Sequence, residues 1–270
     1  MTEPGMQVRP AEGPIGARVT GLDLAIELKP EIVAAVRQAL LDHCVLVFPE
    51  QALSDEEQVR FTGYFGSPRE HVRKQRDRRV KEIFIISNVK EKGEPIGALG
   101  SANVDFHSDL SYMPHPGTIS LLQALEIPQE GGETQFCDCR AAYDAMSETQ
   151  KTHLGSLRAV HRHPVAEQNA PGVVSHPIVR THPETGRRTI YVSPHLTSHV
   201  VGLDEADSAQ LLNEIYAHMD QPQFIWTQRW AVGDLLMWDN RPTMHRRLGF
   251  PDEQRRVMKR TQVFGDEPVL

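Results

Sequence analysis

The second half of this chain is dominated by β-type runs. FIWTQRWAV (224–232), LLMWDN (235–240) and RVMKRTQVFG (256–265) each read as strands, and PIVRTHPETGRRTIYV (177–192) is two β-rich runs around a polar Pro/Gly turn, a hairpin. Hairpin-type connections favour antiparallel pairing, whereas a parallel pair needs a long crossover. Strands do not alternate regularly with helices, and no Gly-x-Gly-x-x-Gly follows a strand, so a dinucleotide-binding α/β fold is disfavoured.

Helical signals gather earlier. In EIVAAVRQALLDH (31–43), Ile32, Val36 and Leu40 form one stripe with Val33 beside them. VLVFP (45–49) then reads as a short buried strand. Ser54 with Glu57 three residues on is a capping box opening a second helix, which Gly66 and Pro68 stop. IFIIS (83–87) and TISLLQALEI (118–127) are strand-like, and Gly131-Gly132 marks a turn. Ser147 with Gln150 opens a helix to about Leu157, and Asp204 caps another through about His218. Residues 88–105 dissolve into Lys, Glu, Gly, Pro and Ala, a long loop of the kind that often forms lids or binding loops. The pattern favours a mixed antiparallel sandwich or barrel flanked by helices. With no internal repeat, low-complexity tract or Gly/Ser linker, residues 1–270 read as one domain.

The net charge of −7 argues against a general phosphate-binding or nucleic-acid surface. No apolar run approaches the length of about 18 residues that a membrane span needs. MTEPGMQVRPAEG lacks the basic and apolar segments of a secretory signal. Three cysteines, Cys44, Cys137 and Cys139, are too few and too odd for a disulfide framework and fit a reducing cytoplasm.

Within VDFHSDLSYMPHPG (104–117), His107 and Asp109 stand two apart, and residues i and i+2 of an extended strand face the same way. An imidazole nitrogen plus a carboxylate oxygen suits a first-row divalent ion. One more histidine gives the facial set that leaves positions open for oxygen chemistry at Fe(II). In a chain with 13 histidines the triplet alone reads more readily as a polar surface pair, so a third donor must carry the case. His161 and His163 have no carboxylate nearby. His195 and His199 sit in SPHLTSHVVG, which reads as a loop with surface hydrogen bonds. Cys137 and Cys139 lack the second pair of a zinc knuckle. His245 differs: it follows LLMWDN and the turn-like Arg241-Pro242, where a barrel wall hands a ligand back toward the first pair. Arg256 and Arg260, four apart on a strand-like segment, face one side. Two inward guanidiniums beside a metal need anions, which predicts a carboxylate ligand in the pocket. Pro114 and Pro116 turn His115 away from the site. A zinc hydrolase on the same histidines and aspartate remains an alternative that gives the arginines no role.

These residues and their surroundings resemble the Fe(II)/2-oxoglutarate-dependent dioxygenases of the taurine dioxygenase and 2,4-dichlorophenoxyacetate dioxygenase group. FHSDLSYM (106–113), GGETQFCDCRAAYDAM (131–146), VRTHPETGRR (179–188) and WAVGDLLMWDNRPTMHR (230–246) look like family blocks in the expected order, as do GARVTGLDL and VLVFPEQALSDEEQVRFTGYFG nearer the start. The resemblance covers nearly the whole chain. It implies a mostly β, α+β fold: a double-stranded β-helix (jelly roll) core flanked by helices. It further implies His107, Asp109 and His245 as ligands of Fe(II), with 2-oxoglutarate and O2 as co-substrates. Thr134 would hydrogen-bond the 2-oxoglutarate carboxylate, and Arg256 would grip its distal carboxylate with the planar fork that lysine lacks. Arg260 would reach the primary substrate's acidic group or the near carboxylate.

For the substrate, the resemblance points to Asn103, Arg69 and His71, with Val104, Phe106, Tyr112 and Met113 as candidates to line the pocket. Phe106 and its fellows read equally as core packing, and REHVRKQRDRRVK (69–81) reads mainly as a solvated basic loop. Positive charge at a pocket mouth favours a small anion. CDCRAAYDAM and SPHLTSHVVGLD look closer to the aryloxyalkanoate branch, with sulfonates and alkyl sulfates as the alternative. A metal-binding sensor with little turnover is a further reading. The resemblance also implies a homo-oligomer.

Overall fold

A computed structural model describes residues 5–73, 75 and 78–265. Two β-sheets face one another. The larger has eight strands in the order 7–10, 17–20, 45–48, 235–239, 117–126, 257–264, 84–87 and 98–99; the smaller has four, in the order 225–228, 134–138, 243–247 and 104–107. Pairing is antiparallel except where 17–20 meets 45–48 and 84–87 meets 98–99. This is the jelly roll that the sequence implies.

The pleat explains the sequence pattern. Val45–Phe48 is apolar throughout because both faces are covered. Val45 and Val47 point between the sheets, where they join Leu122, Trp238 and Met258 from the large sheet and Phe136 from the small one. Leu46 and Phe48 point outward beneath the helices Pro30–His43 and Asp55–Gly63, with Leu40 and Phe61. A second helical layer, Cys139–Asp144, Glu148–Gly155 and Glu205–Met219, covers the outer face of the small sheet.

Local signals act as expected. Ser54 and Glu57 cap reciprocally, at 3.2 and 2.7 Å, and Ser147 with Gln150 does the same. Gly131 and Gly132 both take φ +73°, and a Cβ on Gly131 would stand 2.4 Å from the Gly249 carbonyl oxygen. The three cysteines are buried and free.

Three expectations need correction. Residues 88–105 are not a structureless loop: they hold the small hairpin Lys90–Glu91/Glu94–Pro95 and the edge strand Ala98–Leu99. SPHLTSHVVG is not simply a loop either, because Thr197–Val200 pairs with Arg158–His161. Helices do not gather early, since among the described residues three of the five α-helices follow residue 138. The strands 90–91, 94–95, 98–99 and 197–200 are too short to show a period, so their partners alone define them. Among the described residues no helix is long and apolar enough to cross a membrane. Lys74, Arg76 and Asp77, part of the basic run expected to be solvated, lie outside the described residues.

Candidate metal centre and co-substrate cavity

The small sheet presents one row of side chains inward. Thr134 lies opposite Arg247, and Phe136 opposite His245. His245 in turn lies opposite His107. Cross-strand partners project to the same face, so the two histidines meet with ring centroids 4.2 Å apart, and His245 stacks on Phe136 at 5.8 Å. Asp109 completes the group: one donor atom from each of His107, Asp109 and His245 lies within 4.8 Å of the others.

Asp109 does not arrive by strand parity. The strand ends at His107, and Asp109 sits in the turn beyond it, before Leu110 at φ 59°. A network rooted in the large sheet fixes it there. Its backbone N–H donates to Asn240 Oδ1 at 3.2 Å, its Oδ2 accepts from Ser120 Oγ at 2.7 Å, and its Oδ1 accepts from Arg260 Nη1 at 3.2 Å. Asn240 also accepts from Trp238 Nε1 and donates to Ser120. Burial alone would raise the Asp109 pKa; Arg260 and the two histidines outweigh it and hold the carboxyl well below the usual range. His107 is lowered to about 4 and His245 to about 3, chiefly by burial. All three are therefore in their metal-binding protonation states at neutral pH. His107 Nδ1 lies 2.9 Å from the Asp105 carbonyl, which only accepts; Nδ1 thus carries the proton and Nε2 offers its lone pair. The set fits a divalent ion with open positions.

Two cavities meet here, both lined by His107 and Arg260. The front one is bounded by His71, Arg73, Asp109, Tyr112, His163 and His195. The rear one is bounded by Thr134, His245, Arg247 and Arg256. Arg256 is 2 % exposed, its Nε lacks a hydrogen-bond partner, and no carboxylate pairs with it among the described residues. Burial, with Arg247 adding repulsion, pushes its pKa down to about 9. Thr134 Oγ1 accepts from Trp230 Nε1 at 3.1 Å, which leaves the hydroxyl proton to donate. A buried unpaired guanidinium and a free hydroxyl donor in one cavity fit an anionic ligand.

The expected substrate residues separate. His71, Val104 and Tyr112 line the front cavity; His71 packs on Phe84 at 4.1 Å, and burial drops its pKa to about 3. Burial raises the Tyr112 hydroxyl to about 12. Asn103 is exposed, and its Oδ1 accepts from Gly249 N at 2.5 Å, so it ties two loops and lines neither cavity. Arg69 is exposed, with its guanidinium over Phe264, also outside both. Phe106 points to the helical layer under Arg246, on the face of its strand opposite to that of its neighbour His107. His163 and His195, set aside in the sequence as metal donors, line the front cavity instead. Sequence reasoning missed Arg247, although its position two after His245 on one strand was a usable signal.

A jelly roll that carries two histidines and a carboxylate beside an anion cavity is the architecture of a mononuclear metal oxygenase. The profile of the taurine catabolism dioxygenase TauD, TfdA family matches residues 7–262, and the chain belongs to that family of 2-oxoglutarate-dependent dioxygenases. It is 36% identical over 277 residues to the alpha-ketoglutarate-dependent 2,4-dichlorophenoxyacetate dioxygenase of Cupriavidus pinatubonensis, covering 94% of this chain and 96% of that one. Among solved structures it resembles a taurine dioxygenase from Burkholderia xenovorans, with TM-score 0.84 and 34% identity over 98% of this chain and 91% of that one. It also resembles AAD-2 in complex with Mn(II) and N-oxalylglycine, with TM-score 0.84 and 30% identity over 98% of this chain and all (100%) of that one.

Proposed function

We propose that this Fe(II)- and 2-oxoglutarate-dependent dioxygenase hydroxylates a small anionic organic substrate, with an aryloxyalkanoate carboxylate as the best fit. The observation that carries the reading is the junction of the two cavities at His107, Asp109 and His245, with Arg256 buried and unpaired behind them. His107, Asp109 and His245 hold the metal. Arg256 and Thr134 receive the distal carboxylate of 2-oxoglutarate in the rear cavity. Arg260, between the cavities, is placed to orient either the near carboxylate or the substrate's acid group. When bound, iron and 2-oxoglutarate couple oxidative decarboxylation of the 2-oxo acid to oxygen insertion into a substrate C–H bond, and a hydroxylated carbon that bears a heteroatom then breaks that bond. The chain's part is to orient the two acids and keep water from the centre.

The front cavity supports the substrate class. Arg73 and Arg260 supply positive charge, and Phe84, Tyr112, His163 and Leu196 supply flat or apolar walls. The relative in Cupriavidus pinatubonensis bears the name of a dichlorophenoxyacetate enzyme, which agrees with such walls. The test is a panel of aryloxyalkanoates, other carboxylates, sulfonates and alkyl sulfates, scored for substrate-stimulated succinate from 2-oxoglutarate. Aryloxyalkanoates giving the largest stimulation supports the reading. Stimulation by sulfonates or alkyl sulfates alone replaces the substrate class, and none across the panel favours a sensor. We further propose a homo-oligomer acting in the reducing cytoplasm. Light scattering checks the first; the buried free thiols support the second.

A further inference from the structure

Arg247 is a charged side chain to which the expected ligand and co-substrate roles give no task. It is 7 % exposed, lines the rear cavity with Thr134, His245 and Arg256, and lies directly across the strand pair from Thr134. Its Nη2 donates to the Ala102 carbonyl, and its guanidinium lies 5.5 Å from the Phe250 ring centroid. Its Nε has no partner, and among the described residues no carboxylate pairs with it. Arg256 lines the same cavity, so the two like charges oppose one another. Two buried guanidiniums facing one cavity without a protein anion is a costly arrangement, and an anion shared between them relieves both.

We propose that Arg247 is a second arginine of the 2-oxoglutarate cavity, sharing the distal carboxylate with Arg256 and setting the preference for 2-oxo diacids over 2-oxo monoacids. The proposal rests on the rear cavity being the 2-oxoglutarate site. The contact with Ala102 has a structural consequence: the segment from Leu99 to Val104 borders both cavities, so the ligand-bound guanidinium also holds the partition between co-substrate and substrate.

The experiment is anaerobic calorimetry on the full-length protein loaded with Mn(II), titrated with 2-oxoglutarate and with 2-oxovalerate, which has the same chain length but no distal carboxylate. For Arg247→Met the Kd for 2-oxoglutarate is expected to rise about tenfold to a hundredfold, the range for losing a charge-assisted hydrogen bond. The Kd for 2-oxovalerate is expected to stay within about twofold, since it never uses that bond. Arg247→Lys keeps the charge without the fork, and the expected rise is smaller, about threefold to tenfold. Equal rises for both acids overturn the proposal, as they mean a distorted cavity. A lowered Tm with both constants unchanged also overturns it and leaves Arg247 as a loop fastener. If Arg247→Met does not fold, Arg247→Lys decides by the same comparison. If the unaltered protein binds no 2-oxoglutarate, the proposed function fails as well; if it does bind, only this assignment is at stake.

Discussion

Replacing Arg256 by methionine is expected to make the ligand-free protein more stable while destroying its use of 2-oxoglutarate. The guanidinium is buried with no carboxylate partner, beside the positive Arg247. A cation whose pKa falls from 12.5 to about 9 on folding is opposed by the fold, by roughly 4–5 kcal/mol. At pH 7.5 the group is charged both folded and unfolded, so the whole penalty is present there. Methionine keeps most of the apolar stem contacts. Replacing buried charges by apolar groups is commonly stabilising by about 1–4 kcal/mol. We expect about 2–3 kcal/mol, below the full electrostatic figure because solvent and side-chain relaxation temper it. In a chain of this size that is a rise in Tm of roughly 4–5 °C. Urea unfolding of metal-free protein, read at constant m, measures it. The same variant loses at least about a hundredfold in 2-oxoglutarate affinity, the loss of a bidentate charge pair. A ligand-free variant less stable than the parent by more than about 1 kcal/mol refutes the reasoning, because Arg256 would then have a protein partner worth more than its burial costs.

Anaerobic protein with Fe(II) and 2-oxoglutarate should show a weak visible charge-transfer band that His107→Ala abolishes; a surviving band removes His107 from the ligand set. Asn240→Ala, which unties Asp109 and Ser120 and leaves the buried Trp238 Nε1 unpaired, should weaken Mn(II) binding about tenfold to a hundredfold by calorimetry and also lower Tm. Asp239 is buried between Arg241 and His182, at 2.6 and 3.0 Å; burial would raise its pKa, but Arg241 and His182 hold it well below the carboxylate range. Its stabilisation is therefore complete above the unfolded value of about 4 and fades as pH falls below it. Asp239→Asn should cost about 3–5 kcal/mol at pH 7 and flatten the acid limb of a stability profile. Mn(II) and 2-oxoglutarate should each tighten the other's binding by the same factor in a double titration; independent constants would show that they do not share a centre.

How much of this was legible in the residues depends on how locally each feature is encoded. The capping boxes at Ser54 and Ser147 carry their own geometry, and both appear where the sequence places them. The burial of both faces of Val45–Phe48 is likewise written in its uniform apolarity. His107 with Asp109 was legible as a pair, but for a reason the structure does not use: Asp109 has left the strand, and Asn240, 131 residues away, holds it. Phe106 reads in the sequence as pocket lining or equally as core packing, and the inward turn of its neighbour His107 decides for the core. Asn103 and Arg69 were carried over by likeness of position, and a local contact claims each of them here.

The chain as a whole is acidic, at −7, yet its centre gathers Arg247, Arg256 and Arg260 around a single carboxylate, Asp109, with which only Arg260 pairs. A core assembled for stability alone would not keep that charge, since apolar side chains of similar volume serve better. These three arginines stand on the walls of the two cavities, so anions that enter offset the cost of burying them there. A divalent metal held by His107, Asp109 and His245 would add to the same positive charge, so its retention would depend on a dianionic co-substrate that offsets that charge. That dependence would make the ordered filling of the site a property of its charge balance. It also explains why the arginines, which carry no part of the oxidation themselves, are built into its deepest wall.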